Sequence, residues 1–286
     1  MRATVIVAMR LPIRPWFRDH CFNGRIILPA VEAMRLLAES VQAAFPAVNV
    51  RVMEDAAFSK FLEIPQDQDE IDIQVEVIER EDGRVRARLL SRRQLKTMSR
   101  LTEHCQLFFG GEEHDAMQPA AQETQPALRI SAERIYRDLV PFGPAYRTLR
   151  GQISLGRDWA QGRLQAPGLP VELAPVGSPF PFDGAMHAAC VHGQRLVDFV
   201  PFPVGFAVRQ IALPTEPGEE YLFQARLRSR AADELVYDLQ IFDQREGIRE
   251  SIRGLRMRDV SNGRIRQPAW IRASLDERQA FPDQTT

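Results

Sequence analysis

The sequence predicts an α+β fold in which one plan, a helix followed by antiparallel strands, is used twice. Three observations carry this reading. Apolar residues recur at helical spacing after Pro29, strictly alternating strands follow between Ile71 and Leu89, and helices followed by strands return beyond a polar, aperiodic stretch.

In the first half, residues 1–112, Ala3–Leu11 reads as a strand and a loop runs on through Pro12, Pro15 and Trp16. Pro29 opens a helix, where its missing N–H costs nothing. Val31, Met34, Ala38, Val41 and Phe45 share a helical face, while Glu32, Arg35, Glu39 and Gln42 fall elsewhere on the wheel. Ile71, Ile73, Val75 and Val77 then alternate with polar residues. Asp82-Gly83 supplies a turn, and Val85, Ala87 and Leu89 alternate with arginines on the return. Leu101–Phe109 is a further strand. Residues 113–126 carry no period and read as a linker.

The second half, residues 127–260, starts with a short helix over Ile130–Leu139. Strands follow in Tyr146–Leu164, broken at Gly156-Arg157-Asp158. An apolar helix covers roughly Phe182–Arg195. Alternation returns at Tyr221–Leu227, at Leu235–Ile241 and over Ile248–Met257. Residues 261–286 are polar with isolated apolar positions and read as a loose tail.

Composition narrows the function. A net charge of −1 over 286 residues removes the basic field expected of a nucleic-acid binder. No apolar run approaches the ~20 residues of a membrane helix. Cys21, Cys105 and Cys190 are odd in number and widely spaced, which argues for a reducing compartment, taken as the cytoplasm, and against a disulfide framework or a zinc site.

Chemistry concentrates at two places, one per half. The first, PWFRDHCFNGRIILPAVEA, holds His20, Gly24 and Pro29 in the spacing HxxxGxxxxP. His20 lies just before a helix N-terminus, where free N–H groups and the dipole can hold a polarised carbonyl oxygen. A neutral imidazole there suits removal of a proton alpha to a thioester. Taken alone, His20 fits a hydrogen bond within a turn equally well. The second, SPFPFDGAMHAA, places Asp183 and His187 four apart on one helical face. A carboxyl beside an imidazole can hold or deliver a proton at a leaving hydroxyl. Taken alone, the pair is better explained by an acidic residue serving the dipole near a helix start, with a histidine one turn on.

Read together, the segments resemble the dehydratase domain of polyketide synthases. His20, Gly24 and Pro29 fill that family's HxxxGxxxxP motif, and Asp183 with His187 fills its DxxxQ/H motif. Gly143-Pro144-Ala145-Tyr146 matches the GPxF-type segment between them, with Tyr146 at the aromatic position. Pro179 stands four before Asp183 as in the family's HPxxxD run, and FVPFPVGFAVRQIAL looks like its strand after the second helix. The likeness spans roughly residues 3–260. It departs at Ser178, where the family usually has His, at Phe142 in place of Tyr, and at Ala30, where Gly is common.

The resemblance implies a double hotdog, two fused units each with a long helix wrapped by an antiparallel sheet, the sheets joined edge to edge because an unpaired edge is a liability. It also implies elimination of water from a 3-hydroxyacyl thioester, carried on the phosphopantetheine arm of an acyl carrier protein or on coenzyme A. His20 would take the C2 proton, Asp183 would serve the C3 hydroxyl, and His187 would hold one or the other. Gly24 and the helix at Pro29 would stabilise the enolate oxygen. Phe22, Met34, Phe182 and Met186 would line an apolar tunnel, with Gly143 and Tyr146 also meeting substrate. No metal or organic cofactor is implied. A double-bond isomerase, a product-template cyclase, an acyl-thioesterase and a non-catalytic carrier-binding module remain open on the same fold. A fused double hotdog satisfies sheet pairing internally, so a monomer or weak dimer is expected.

Overall fold

Alternating apolar residues set the first sheet. In the computed structural model, which describes residues 3–94, 99–113, 126–170 and 175–279, the first half has its strands and α-helix in the following chain order. They are β1 (Thr4–Pro12), β2 (Cys21–Phe22), β3 (Arg25–Ile27), α1 (Ala30–Ala44), β4 (Val52–Ala57), β5 (Glu63–Ile64), β6 (Glu70–Glu79), β7 (Val85–Gln94) and β8 (Ser99–Phe109). Ile71, Ile73, Val75 and Val77 of β6 are buried and the residues between them are not. A one-residue slip would turn that face to solvent, so burial fixes the register that sets Val75 opposite Leu89 and Val77 opposite Ala87.

The second half runs β9 (Leu128–Ser131), α2 (Ala132–Asp138), β10 (Leu149–Leu155), β11 (Trp159–Gln165), α3 (Phe180–Leu196), β12 (Phe202–Ile211), β13 (Glu220–Arg230), β14 (Glu234–Phe242), β15 (Ile248–Arg258) and α4 (Ala269–Gln279). Among the described residues these strands and those of the first half form one 12-stranded sheet, ordered β1-β6-β7-β8-β4-β12-β15-β14-β13-β11-β10-β9. Every pairing in it is antiparallel. The fold is thus the α+β double hotdog, its two sheets continuous through β4 and β12.

The seam between β4 and β12 sets Met53 opposite Arg209 and Ala56 opposite Phe206. Gly205 sits there with φ +149°, and a Cβ would fall 2.0 Å from the Ala56 carbonyl oxygen, so only glycine permits the approach. Beside the seam Arg209 is buried. Its Nε and Nη2 donate to Oε2 of Glu250 at 2.9 and 2.7 Å, and its guanidinium lies 4.6 Å from the centre of the Phe182 ring.

Helix α1 buries Val31, Met34, Ala38 and Val41 as its periodicity predicts, and Leu37 besides, and touches α3, while Phe45, expected on the same face, is the half-buried C-cap. Glu32 is also buried, contrary to its place on the wheel. It accepts from Trp16 Nε1 and Arg35 Nε at 3.0 Å each, which satisfies the carboxylate. Apart from Cys190, every residue of α3 is buried. Among the described residues no helix is long and apolar enough to cross a membrane.

Two expectations are corrected. Ile130–Leu139 is not one helix: β9 ends at Ser131, whose side chain accepts from the Arg134 N–H as the N-cap of α2. The tail is not loose. Residues 269–279 form α4, which buries Ile271 against the core, and the Arg134 guanidinium stacks 3.7 Å from the Trp270 ring centre. Strand β4 carried no strict alternation in sequence, yet it makes half of the seam. Residues 114–125 of the linker lie outside the described residues.

Candidate active site

His20 ends a short 3₁₀ turn over Pro15–Asp19, which buries Trp16 and Phe17 and turns the chain into the β2–β3 hairpin. Its Nδ1 lies 2.8 Å from the Ile27 carbonyl oxygen. A carbonyl can only accept, so Nδ1 carries the proton and Nε2 is the basic nitrogen. The hydrogen bond within the turn and the catalytic tautomer are therefore compatible: one fixes the other. Burial holds the imidazole below its ordinary pKa of 6.5, against the opposing pull of the Asp183 carboxylate.

Asp183 comes from the first turn of α3, whose N-cap is Pro179, and it is buried. One helical turn on, His187 brings Nε2 to 2.9 Å from Asp183 Oδ2. The approach is off the hydrogen-bond axis, and both atoms are otherwise without a partner among the described residues. On its other side His187 Nδ1 lies 3.4 Å from the hydroxyl of Tyr136 in α2, which itself accepts from the Leu149 N–H at 2.9 Å. Burial pushes the Tyr136 phenol up, so it stays protonated.

His20, Asp183 and His187 line one cavity of about 1030 Å³, counting its open mouth. The remaining wall is mostly apolar and includes Phe22, Leu62, Leu89, Val140, Met186 and Phe202. Lys60 and Phe61 are exposed at the rim. His104 lies in the wall as well, with Nδ1 donating to the Lys60 carbonyl and Nε2 2.7 Å from the Ser91 hydroxyl.

The other sequence-predicted site residues fall less uniformly. Phe22 and Met186 line the cavity; Met34 and Phe182 do not. Met34 is core, and Phe182 packs on Arg209 and Phe206. Gly24 is exposed at the tip of the β2–β3 hairpin, with φ +75° beside Asn23 at +49°, and does not line the cavity. Two consecutive positive φ values are what a tight hairpin demands, and that accounts for the glycine. Pro29 is the buried N-cap of α1, and its neighbours Leu28 and Ala30 reach the wall in its place. Gly143 and Tyr146 stand behind His20 instead of in the wall, Tyr146 with its ring centre 5.1 Å from the imidazole.

Sequence reasoning missed Tyr136 and Asp19. No motif marks Tyr136. Asp19 could have been noticed as the residue before the histidine, yet its partners lie 124 or more positions away: the Gly143 N–H donates to its carbonyl at 2.7 Å and the Ala145 N–H to Oδ2 at 2.8 Å.

Residues 4–92 match the family described as the polyketide synthase dehydratase domain, and residues 114–266 match the one described as the polyketide synthase dehydratase N-terminal domain. The chain belongs to the polyketide synthase dehydratase family. No curated protein matches this dehydratase-family chain. Among solved structures it is similar to a dehydratase domain of a trans-AT polyketide synthase from Brevibacillus brevis, with TM-score 0.68 and 17% identity over 89% of this chain and 93% of that one. It is also similar to the dehydratase domain of a mycocerosic acid synthase-like polyketide synthase, with TM-score 0.71 and 14% identity over 91% and 96%. A third is an inactive His-to-Phe mutant of the CurJ dehydratase of the curacin synthase, at 0.68 and 16% over 89% and 91%. At these identities the structural likeness concerns the dehydratase fold.

Proposed function

We propose that the protein eliminates water from a 3-hydroxyacyl thioester presented on the phosphopantetheine arm of an acyl carrier protein, giving a 2-enoyl thioester. One observation carries this reading. An imidazole whose basic nitrogen is fixed by a backbone carbonyl and a buried carboxyl come from different halves into one apolar cavity.

His20 Nε2 takes the proton from C2, which the thioester acidifies. The C2–H electron pair becomes the C2=C3 double bond as the C3–O bond breaks. Asp183 passes a proton to the departing hydroxyl, which leaves as water. His187 holds Asp183 in place through the 2.9 Å contact. Return of the His20 proton to solvent and reprotonation of Asp183 close the cycle. The apolar wall suits an acyl chain and excludes bulk water, which strengthens both proton transfers. The inactive His-to-Phe mutant among the similar dehydratases accords with a histidine doing essential work in this fold.

The test is mass spectrometry of a 3-hydroxyacyl-carrier thioester incubated with the protein. Loss of water supports dehydration. A mass-neutral rearrangement of an enoyl carrier would instead mark an isomerase, release of free acid a thioesterase, and binding without conversion across a panel of chains a carrier-binding module.

A further inference from the structure

The base and its cover belong to different halves of the chain, and one residue ties them together. Asp19 precedes His20. Its carbonyl accepts from the Gly143 N–H at 2.7 Å, and its carboxylate Oδ2 accepts from the Ala145 N–H at 2.8 Å. The fit is close: a Cβ on Gly143 would stand 2.4 Å from Asp19 Oδ1. The residues on either side of this doubly held segment are the ones that cover the imidazole. Phe142 stacks on His20 with ring centres 4.3 Å apart and planes 22° from parallel, and Tyr146 meets it edge-on at 5.1 Å. Phe142 also approaches His187, at 5.1 Å.

We propose that Asp19 is a positioning residue for the reaction, a clamp that holds residues 142–146 of the second half over the His20 imidazole and so fixes the base relative to Asp183. The proposal rests on the reading of His20 as the base. A single side chain is suited to this because the segment it holds is a loop and a 3₁₀ turn, which have no ladder of their own to resist displacement. Two charge-assisted or backbone hydrogen bonds supply that resistance from across the halves.

The clamp has a consequence whose sign separates it from plain electrostatics. The titratable groups facing His20 are Asp183 and His187 from α3 and Tyr146 from the 3₁₀ turn over Pro144–Tyr146. Burial is the largest influence on the His20 pKa. Opening the cover lets water reach the ring and raises that pKa. Removing a neighbouring carboxylate, with the cover intact, would lower it.

The experiment compares Asp19→Ala, Asp19→Asn and Gly143→Ala with the parent, following the His20 imidazole by NMR titration and, with a 3-hydroxyacyl-carrier substrate, kcat and KM against pH. Asp19→Ala is expected to raise the His20 titration point by roughly half a unit or more, and to lower kcat about tenfold with KM changed less. Asp19→Asn keeps an oxygen acceptor for the Ala145 N–H and should recover most of both. Gly143→Ala, which pushes the loop off the carboxylate, should reproduce the upward shift and stands in if Asp19→Ala does not fold. A His20 titration point that stays put or falls in Asp19→Ala and Gly143→Ala overturns the clamp, as does an Asp19→Asn protein no better than Asp19→Ala. The NMR arm reads the clamp without turnover. A parent that fails to dehydrate while the titration shifts as stated therefore removes the proposed reaction and leaves the positioning intact.

Discussion

The ring of Phe142, from the second half, lies stacked on the imidazole of His20, from the first, at 4.3 Å between centres. The base is therefore finished by residues more than a hundred positions away, and its environment exists only in the folded, two-half molecule. That environment keeps the imidazole neutral, which is the form able to accept a proton.

Removing the base should remove turnover and little else. His20→Ala is expected to lower kcat/KM by about 10²-fold or more, the usual scale for general-base catalysis, with the fold retained in a melting control even though the ring's hydrogen bond to Ile27 and its stacking on Phe142 are lost. In the parent, protonation of His20 abolishes the base, and its pKa is depressed below 6.5. The acidic limb of kcat/KM should accordingly fall below pH 6.5. A limb at or above 6.5 would contradict the buried-base account.

Asp183→Asn keeps size and hydrogen bonding but has no carboxyl proton to give, so a loss of about 10²-fold or more is expected in steady-state assays. His187→Gln should be milder, near tenfold, since an amide can still reach Asp183 and Gln fills this place in the family's DxxxQ/H pattern. Equal, severe losses in both variants would make His187 a proton carrier instead of a support.

The buried pair at the seam should matter for stability. Glu250→Ala leaves the Arg209 guanidinium buried without its carboxylate, and breaking such a pair costs about 3–5 kcal/mol. Urea unfolding should show a lower midpoint with an unchanged slope. Because Arg209 also covers Phe182, next to Asp183, kcat of the folded fraction should drop as well.

Acid should destabilise the fold before the carboxylates titrate. His192 is fully buried, donating or accepting at Tyr237 OH over 2.9 Å, and burial together with the nearby Arg195 lowers its pKa to about 4. The unfolded chain then binds a proton that the folded one refuses, so stability rises with pH between about 4 and 6.5 and is lost as pH falls through that window. Chemical denaturation at pH 7, 6 and 5 should follow this trend. His192→Gln should lessen the slope, with the remainder left to His20 and His104, which burial also lowers, and an unaltered slope in that variant would assign the effect elsewhere.

The sequence by itself determined many of the elements and pointed to His20 and Asp183 as the residues to examine. Alternation in β6 and β7, the helical face of α1 and the His20 and Asp183 motifs are local patterns, written within one or two turns or strands and legible there. What it left open was decided across the two halves. Strand β4 has no strict alternation, because its register against β8 shifts between Glu54 and Ala57, around Asp55 at φ +50°, and such a bulge breaks the period of two. Gly24 read as a ligand contact because a hairpin and an oxyanion cradle both favour glycine. Phe182 read as tunnel wall because helical spacing does not say which side of a helix buried all round faces a cavity. The Asp19 hold on Gly143 and Ala145 joins residues that the linear chain keeps far apart, and only closure of the continuous sheet brings them within hydrogen-bond range.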